Sequence, residues 1–387
     1  MNILITGAKG FVGKNLVEAL KNIKEGKDGR FSGLCIEDIY EYDINSNYED
    51  LVKYCKTANF VFNLAGVNRP KDTTEFMKGN FGFGEQLLNV LKECNNKCPV
   101  MLSSSIQASL EGRYQGSEYG KSKKAGEDLF FKYSKECGVS VLVYRFPNLF
   151  GKWCKPNYNS VVATFCHNIA NDLPIQVSDP NNELQLAYID DVVNELINAL
   201  MGKENRQGDY CYVEPVYHVT LGEITDLLHE FSNQQKSLMI PSCEENSFKK
   251  KLYSTFLSYF PINKMIVPLN TNFDSRGAFT EIIKTLADGQ VSVNVSRPGI
   301  TKGQHWHNSK WEMFLVVSGE AVIEERKIGT DEKIVFDVSG DKLEMVYMLP
   351  GYTHNIINKS TTKDLVTIMW ANELFDKNKP DTYREEV

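Results

Sequence analysis

The stretch Met1-Asn-Ile-Leu-Ile-Thr6-Gly7-Ala-Lys-Gly10-Phe-Val-Gly13 decides the reading of roughly the first 243 residues. An apolar run of strand type meets three glycines spaced three apart, and the amphipathic segment Phe11–Lys21 follows. At such a strand-to-helix turn the first glycine permits the tight turn. The second lets backbone approach a pyrophosphate, and the third lets the helix pack closely on the strand, with free N–H groups at the helix N-terminus facing the anion. Working outward, the pattern repeats. Ala58–Leu64 reads as a buried strand, Phe83–Lys92 as a helix, Pro99–Ser103 as a strand, Tyr119–Cys137 as a long helix and Ser140–Arg145 as the next strand. Strands alternating with helices predict a parallel sheet covered on both faces.

Past residue 243 the texture changes. Residues 244–262 are polar and then helical up to Pro261, as expected of a segment bridging two domains. From 263 to 387 short β-rich runs (Val291–Ser296, Glu312–Ser318, Ala321–Glu325, Lys333–Val338, Thr367–Trp370) are separated by turns, which predicts an antiparallel barrel or jelly roll. A length of 387 residues fits two cores better than one. The net charge of −7 and the lack of a basic block argue against nucleic acid as a partner. No run of about 18 apolar residues and no leader-like segment is visible, so no membrane span and a cytoplasmic location are expected. Nine irregularly spaced cysteines do not make a disulfide framework, and all precede residue 244, so a metal held in the last third could not use thiolate.

Two constellations carry chemistry. Of eighteen tyrosines, only Tyr119 has a lysine four residues later, Lys123. On a helix the two share one face, and an ammonium beside a phenol is expected to lower its pKa toward neutrality. The run Ser103-Ser104-Ser105 ends the preceding strand, where a hydroxyl can bond the same substrate oxygen. At the other end stand His305-Trp-His307-x4-Glu312 and, later, Gly351-x2-His354. An i, i+2 pair on a strand points to one face. Three imidazoles and a carboxylate suit Zn²⁺, with Fe²⁺ or Mn²⁺ also compatible. His167, His218 and His229 lie outside this pattern and read as non-functional. Lys302, beside the motif, is a candidate proton carrier.

These residues carry resemblances. With Leu64-Ala65-Gly66, Asn80, Arg145-Phe-Pro147-Asn148-Leu-Phe-Gly151 and Tyr188-Ile-Asp190-Asp191, residues 1–243 resemble an extended short-chain dehydrogenase/reductase, the group that acts on nucleotide sugars. That resemblance implies a Rossmann-type fold and a catalytic set of Ser105, Tyr119 and Lys123, with Ser104 as the alternative serine in an open register. It implies cofactor contacts from Gly7, Lys9, Gly10, Phe11, Val12, Gly13, Asp43, Leu64, Ala65, Gly66, Asn80, Ser103, Lys123 and Pro147. Substrate contacts would come from Ser104, Asn148, Asn157 and Ser160. Lys9 favours NADP(H) through a 2′-phosphate, whereas Asp43 after the second strand favours NAD through the ribose hydroxyls; the resemblance tips the expectation to NADP(H).

Residues 263–387 resemble the cupins, metal-binding jelly-roll barrels, with His305, His307, Glu312 and His354 as ligands. One departure is Pro350 directly before Gly351, which affects a turn and no ligand. Asp274-Ser-Arg276-Gly-Ala-Phe279 is similar to deoxysugar-epimerase cupins, implying that Arg276 contacts nucleotide phosphate. The whole chain, through Ala65-Gly-Val-Asn-Arg-Pro70, Pro147–Ser160 and Pro298–Gly303, resembles the bifunctional enzymes of capsular polysaccharide and O-antigen synthesis. That family implies a UDP-sugar substrate, a zinc cupin that inverts C3, an NADPH reductase that reduces C4, and a homodimer formed through the cupin. A cupin acting only as a dimerisation module, or as an iron-dependent oxygenase, is the alternative.

Overall fold

The computed structural model describes residues 1–387 apart from 71, 288, 377 and 379. The chain forms two compact units, Met1–Leu228 with Glu245–Phe260, and His229–Glu244 with Pro261–Val387. The segment expected as a bridge therefore contributes its helix, Phe248–Leu257, to the first unit.

The first unit is built on β1 (Asn2–Thr6), β2 (Asp38–Tyr42), β3 (Phe60–Asn63), β4 (Val100–Ser105) and β5 (Val141–Phe146). They pair in parallel in the order β2-β1-β3-β4-β5, extended by Tyr210–Cys211 and Arg206–Gln207. Their central residues (Ile3 to Ile5, Val61, Phe62, Met101, Val143, Tyr144) are completely buried because helices cover both faces. Order reverses between β1 and β3, whose carboxyl ends flank a crevice, the place where open α/β sheets bind ligands. A second, three-stranded sheet pairs Tyr217–Thr220, Glu183–Tyr188 and Asn148–Phe150.

The second unit is antiparallel β. A six-stranded sheet runs Thr271–Asp274, Gly277–Thr285, Gly289–Ser296, Leu365–Ala371, Glu312–Ser318 and Met345–Met348. A five-stranded sheet runs Lys333–Ser339, Glu320–Lys327, Tyr352–Asn358, Thr301–Trp306 and Tyr383–Arg384. Alternate residues point inward, as the pattern of Gly289–Ser296 shows, and Phe314, Val316, Ile323, Met348, Ile356 and Leu365 form the core. This is the all-β, jelly-roll type of domain expected. Among the described residues no helix is long and apolar enough to cross a membrane.

Candidate functional sites

In the first unit the glycine loop joins β1 to the helix Phe11–Lys24. Gly7 adopts φ +67°, and a Cβ there would sit 2.8 Å from the Ala65 backbone nitrogen. A Cβ on Gly13 would overlap the Gly7 carbonyl. Only glycine fits either place. The loop lines a cavity of about 500 Å³ together with Leu64, Gly66, Ser105, Tyr119, Lys123 and Pro147.

Ser117 caps the helix Glu118–Cys137 by accepting from the Gly120 N–H, which aims Tyr119 and Lys123 into this cavity. The Lys123 ammonium donates to the Ser103 carbonyl at 2.9 Å and lies 5.7 Å from the Tyr119 ring centre. Burial brings Lys123 down to about 8, against the pull of the Glu127 carboxylate. The expected acidification of the phenol is not found. Burial pushes Tyr119 up to about 12, and only a hydrogen bond with Ser105 opposes it.

The serine register is resolved by the alternation of β4. Ser105 faces Tyr119, whereas Ser104 turns into the interior and donates to Glu127 Oε1 at 2.6 Å. Ser104 thus supports the helix through Glu127 while still lining the cavity. Glu127 itself was not singled out in the sequence. It is wholly buried and bound by Arg145 through Nε at 2.8 Å and Nη2 at 2.7 Å. Its signal was the spacing of four residues after Lys123, one further turn along the same face.

Other expected contacts divide. Lys9, Gly10, Phe11, Val12, Ser103, Asn148 and Ser160 line the cavity, and Ser160 also caps the next helix by accepting from the Ala163 N–H. Asn80 lies behind it, holding both backbone groups of Val67 at 2.9 Å. Ala65 is likewise behind, its N–H donating to Thr6 Oγ1. Asp43 accepts from the Lys9 and Ile44 N–H groups, bracing the glycine loop. Asn157 turns away, its amide donating to Asn168 Oδ1 at 3.4 Å. Tyr158, within the Asn157–Ser160 stretch expected at the sugar, lines the cavity, as do Lys14, Trp153 and Lys155, which were not singled out. The ammonium of Lys14 stands 4.7 Å from the Trp153 ring centre.

In the second unit His305, His307, Glu312 and His354 converge, with ligand atoms all within 4.8 Å of one another. His305 ends the Thr301–Trp306 strand region, Glu312 opens the Glu312–Ser318 strand and His354 lies directly opposite His305. Nε2 of His307, Nε2 of His354 and Oε2 of Glu312 are buried with no hydrogen-bond partner. Buried polar atoms are seldom left in this way, and here they face one another at 3.6 Å and 3.4 Å from the carboxylate oxygen. Burial brings His305 down to about 4, reinforced by His354. Burial alone would raise Glu312, but its contacts with His307, His354 and Lys310 hold it well below the usual carboxylate range. A neutral imidazole with its lone pair free and an ionised carboxylate are the forms that bind a divalent cation. The donor set fits a metal such as Zn²⁺.

An adjoining cavity of about 330 Å³ is lined by His305, Lys302, Asn294, Arg276 and Asp274 among others. Three residues apart, Lys302 and His305 belong on opposite faces of a regular strand. The register shifts between Gly303 and His305, with Gln304 as the extra residue at φ +62°, and this bulge brings both side chains to the same cavity. The Lys302 ammonium donates to Asn294 Oδ1 at 2.7 Å and the Val295 carbonyl at 2.9 Å, and burial lowers its pKa. Arg276 also lines this cavity and donates through Nε at 3.0 Å and Nη2 at 2.7 Å to Asp274 Oδ2.

A glycine-loop cavity over a Tyr/Lys/Ser set in the first unit and a His/Glu centre in the antiparallel second unit define a protein with two candidate sites. Residues 3–211 match the NAD dependent epimerase/dehydratase family, and residues 272–383 match the polysaccharide biosynthesis C-terminal domain. The chain is 39% identical over 383 residues to UDP-2-acetamido-2,6-beta-L-arabino-hexul-4-ose reductase of Pseudomonas aeruginosa, covering 99% of this chain and 98% of that protein. It is 49% identical to the crystal structure of the capsular polysaccharide assembling protein CapF from Staphylococcus aureus, with a TM-score of 0.89 and full coverage of both chains. UDP-glucuronic acid 4-epimerase from Bacillus cereus, in complex with NAD, shares the fold over 67% of this chain and 98% of its own at 20% identity, with a TM-score of 0.54. The chain belongs to the NAD dependent epimerase/dehydratase family, among its CapF homologues with the polysaccharide biosynthesis C-terminal domain.

Proposed function

We propose that the chain is a bifunctional UDP-sugar enzyme. The C-terminal domain epimerises C3 of a UDP-2-acetamido-2,6-dideoxy-4-keto-hexose. The N-terminal domain then reduces the C4 ketone with NADPH to UDP-2-acetamido-2,6-dideoxy-L-talose, the precursor of N-acetyl-L-fucosamine. The observation that carries this reading is the similarity over 99% of the chain to a UDP-4-keto-sugar reductase, in a molecule holding both a Tyr119/Lys123/Ser105 cavity and a His/Glu centre.

Reduction needs a hydride delivered to C4 and a proton delivered to its oxygen. Tyr119 supplies the proton and Ser105 holds the same oxygen. The Lys123 ammonium stabilises the phenolate left when Tyr119 gives up its proton, and it binds the nicotinamide ribose. A phenol at about 12 is a proton donor in its resting form, as the reductive direction requires. The backbone of the glycine loop binds the pyrophosphate, and Lys9 meets the 2′-phosphate that favours NADPH over NAD.

Epimerisation needs a proton removed from C3 and another returned on the opposite face. A divalent cation held by His305, His307, Glu312 and His354 supplies Lewis acidity toward the C4 carbonyl when bound. Lys302, which lines the same cavity and whose pKa burial lowers, moves one proton. Arg276 faces the diphosphate. The test is turnover of NADPH with the 4-keto sugar nucleotide, run in deuterated water with the product's stereochemistry read by NMR. Deuterium at C3 and the L-talo product support the reading; reduction with retained C3 configuration and no exchange refutes the epimerase half.

A further inference from the structure

The His/Glu centre is enclosed by a segment far from it in sequence. We propose that residues 381–387 form a clasp that sets the metal-ligand geometry, with Asp381 as its principal positioning residue. The proposal rests on the reading of the His/Glu cluster as a metal site.

The Asp381 backbone carbonyl lies 2.6 Å from His307 Nδ1. A carbonyl can only accept, so it selects the His307 tautomer with the proton on Nδ1 and leaves Nε2, the buried atom without a partner, as a bare lone pair aimed at Glu312. The same residue's carboxylate accepts from the Asn308 N–H at 3.0 Å, the Ser309 N–H at 2.9 Å and the Lys310 N–H at 3.0 Å. These are three of the four amides in the link between His307 and Glu312, so one side chain holds most of the turn that sets the angle between the two residues.

The rest of the segment reaches the neighbours of the other two ligands. Tyr383–Arg384 pairs with the Thr301–Trp306 strand, placing Arg384 opposite His305. The Glu385 N–H donates to the Gln304 carbonyl at 3.1 Å, and the Val387 N–H donates to Gln304 Oε1 at 2.8 Å. Gln304 is the bulged residue that turns His305 inward. The Thr353 hydroxyl, one residue before His354, donates to the Glu385 carbonyl at 2.5 Å. The segment is therefore tied to the strands that carry His305 and His354 and to the turn between His307 and Glu312. Outer partners of this kind orient first ligands, and their loss weakens metal binding by about 10–100-fold.

The experiment uses the full chain loaded with Zn²⁺, alongside Asp381→Ala and a chain ending at Pro380. Two quantities are read: the rate of zinc loss to EDTA, and the gap in melting temperature between zinc-loaded and metal-free protein. We expect zinc loss about 10–100-fold faster in both variants and a smaller melting gap. Asp381→Asn, which keeps one acceptor oxygen and the backbone carbonyl, should fall between and serves if Asp381→Ala does not fold. Unchanged zinc loss and an unchanged gap overturn the clasp, including the case in which metal-free and loaded forms lose stability equally. A wild-type chain that takes up no Zn²⁺ overturns the metal reading and the clasp together, whereas uptake by wild type with equal retention in the variants overturns the clasp alone.

Discussion

Glu127 in the first unit and Glu312 in the second, both buried, are treated in opposite ways. Glu127 has both oxygens committed: Arg145 grips it with two hydrogen bonds, Ser104 donates at 2.6 Å and the Tyr210 hydroxyl donates at 3.2 Å. Glu312 keeps Oε2 without a hydrogen bond, facing two imidazole nitrogens equally bare. Burying a carboxylate is costly unless it is paired and hydrogen-bonded. A saturated one has spent its capacity on holding the fold and supplies only its field to neighbours, here Lys123 one turn away. An unsaturated one is incomplete until something cationic arrives. The contrast separates a structural charge from a candidate ligand without reference to any relative.

The largest effect should follow from removing the incomplete carboxylate. Glu312→Ala and His354→Ala are expected to abolish stoichiometric zinc binding and to reduce C3 deuterium exchange to background, while leaving the N-terminal cavity able to oxidise NADPH with a 3-epimerised 4-keto substrate. Metal analysis and exchange by NMR check this; full metal content in either variant would remove that residue from the ligand set. Next in size, Tyr119→Phe should cost about 10²–10⁴-fold in reduction, the usual contribution of a positioned acid. C3 exchange should persist in that variant. Loss of exchange with zinc still bound would break the division of labour between the two sites.

What the sequence made legible follows the range of the interactions. The glycine loop, Tyr119 with Lys123, and His305 with His307 are readable because helix and strand periods put residues two to four apart on one face. The fold class was equally readable, since alternating buried strands and helices up to residue 243 give way to short strands. The Ser104/Ser105 choice could not be made, because it turns on which residue of β4 faces Glu127, and Glu127 lies 23 residues on. The joint placement of Lys302 and His305 was hidden by the bulge at Gln304. Asp381 had no local signal at all, its partners being more than 70 residues away. Expecting Lys123 to acidify Tyr119 counted the charge and left out burial, which is the larger cause for both groups.

The subtlest prediction concerns the field of the saturated glutamate. Lys123 sits at about 8 because burial lowers it and the Glu127 charge raises it. The ammonium is lost as pH rises through that value, so reductase turnover should fall on the alkaline side with a midpoint near 8. Glu127→Gln removes the raising influence and leaves Arg145 unpaired beside the site, and both changes favour the neutral amine. The alkaline limb should therefore move to lower pH, by about one unit or less for a charge one helical turn away. Breaking the pair should also cost about 3 kcal/mol of stability, so the profile is to be taken well below the variant's melting temperature. A merely structural role would lower stability and amplitude but leave the midpoint in place, and that outcome would reduce Glu127 to a brace.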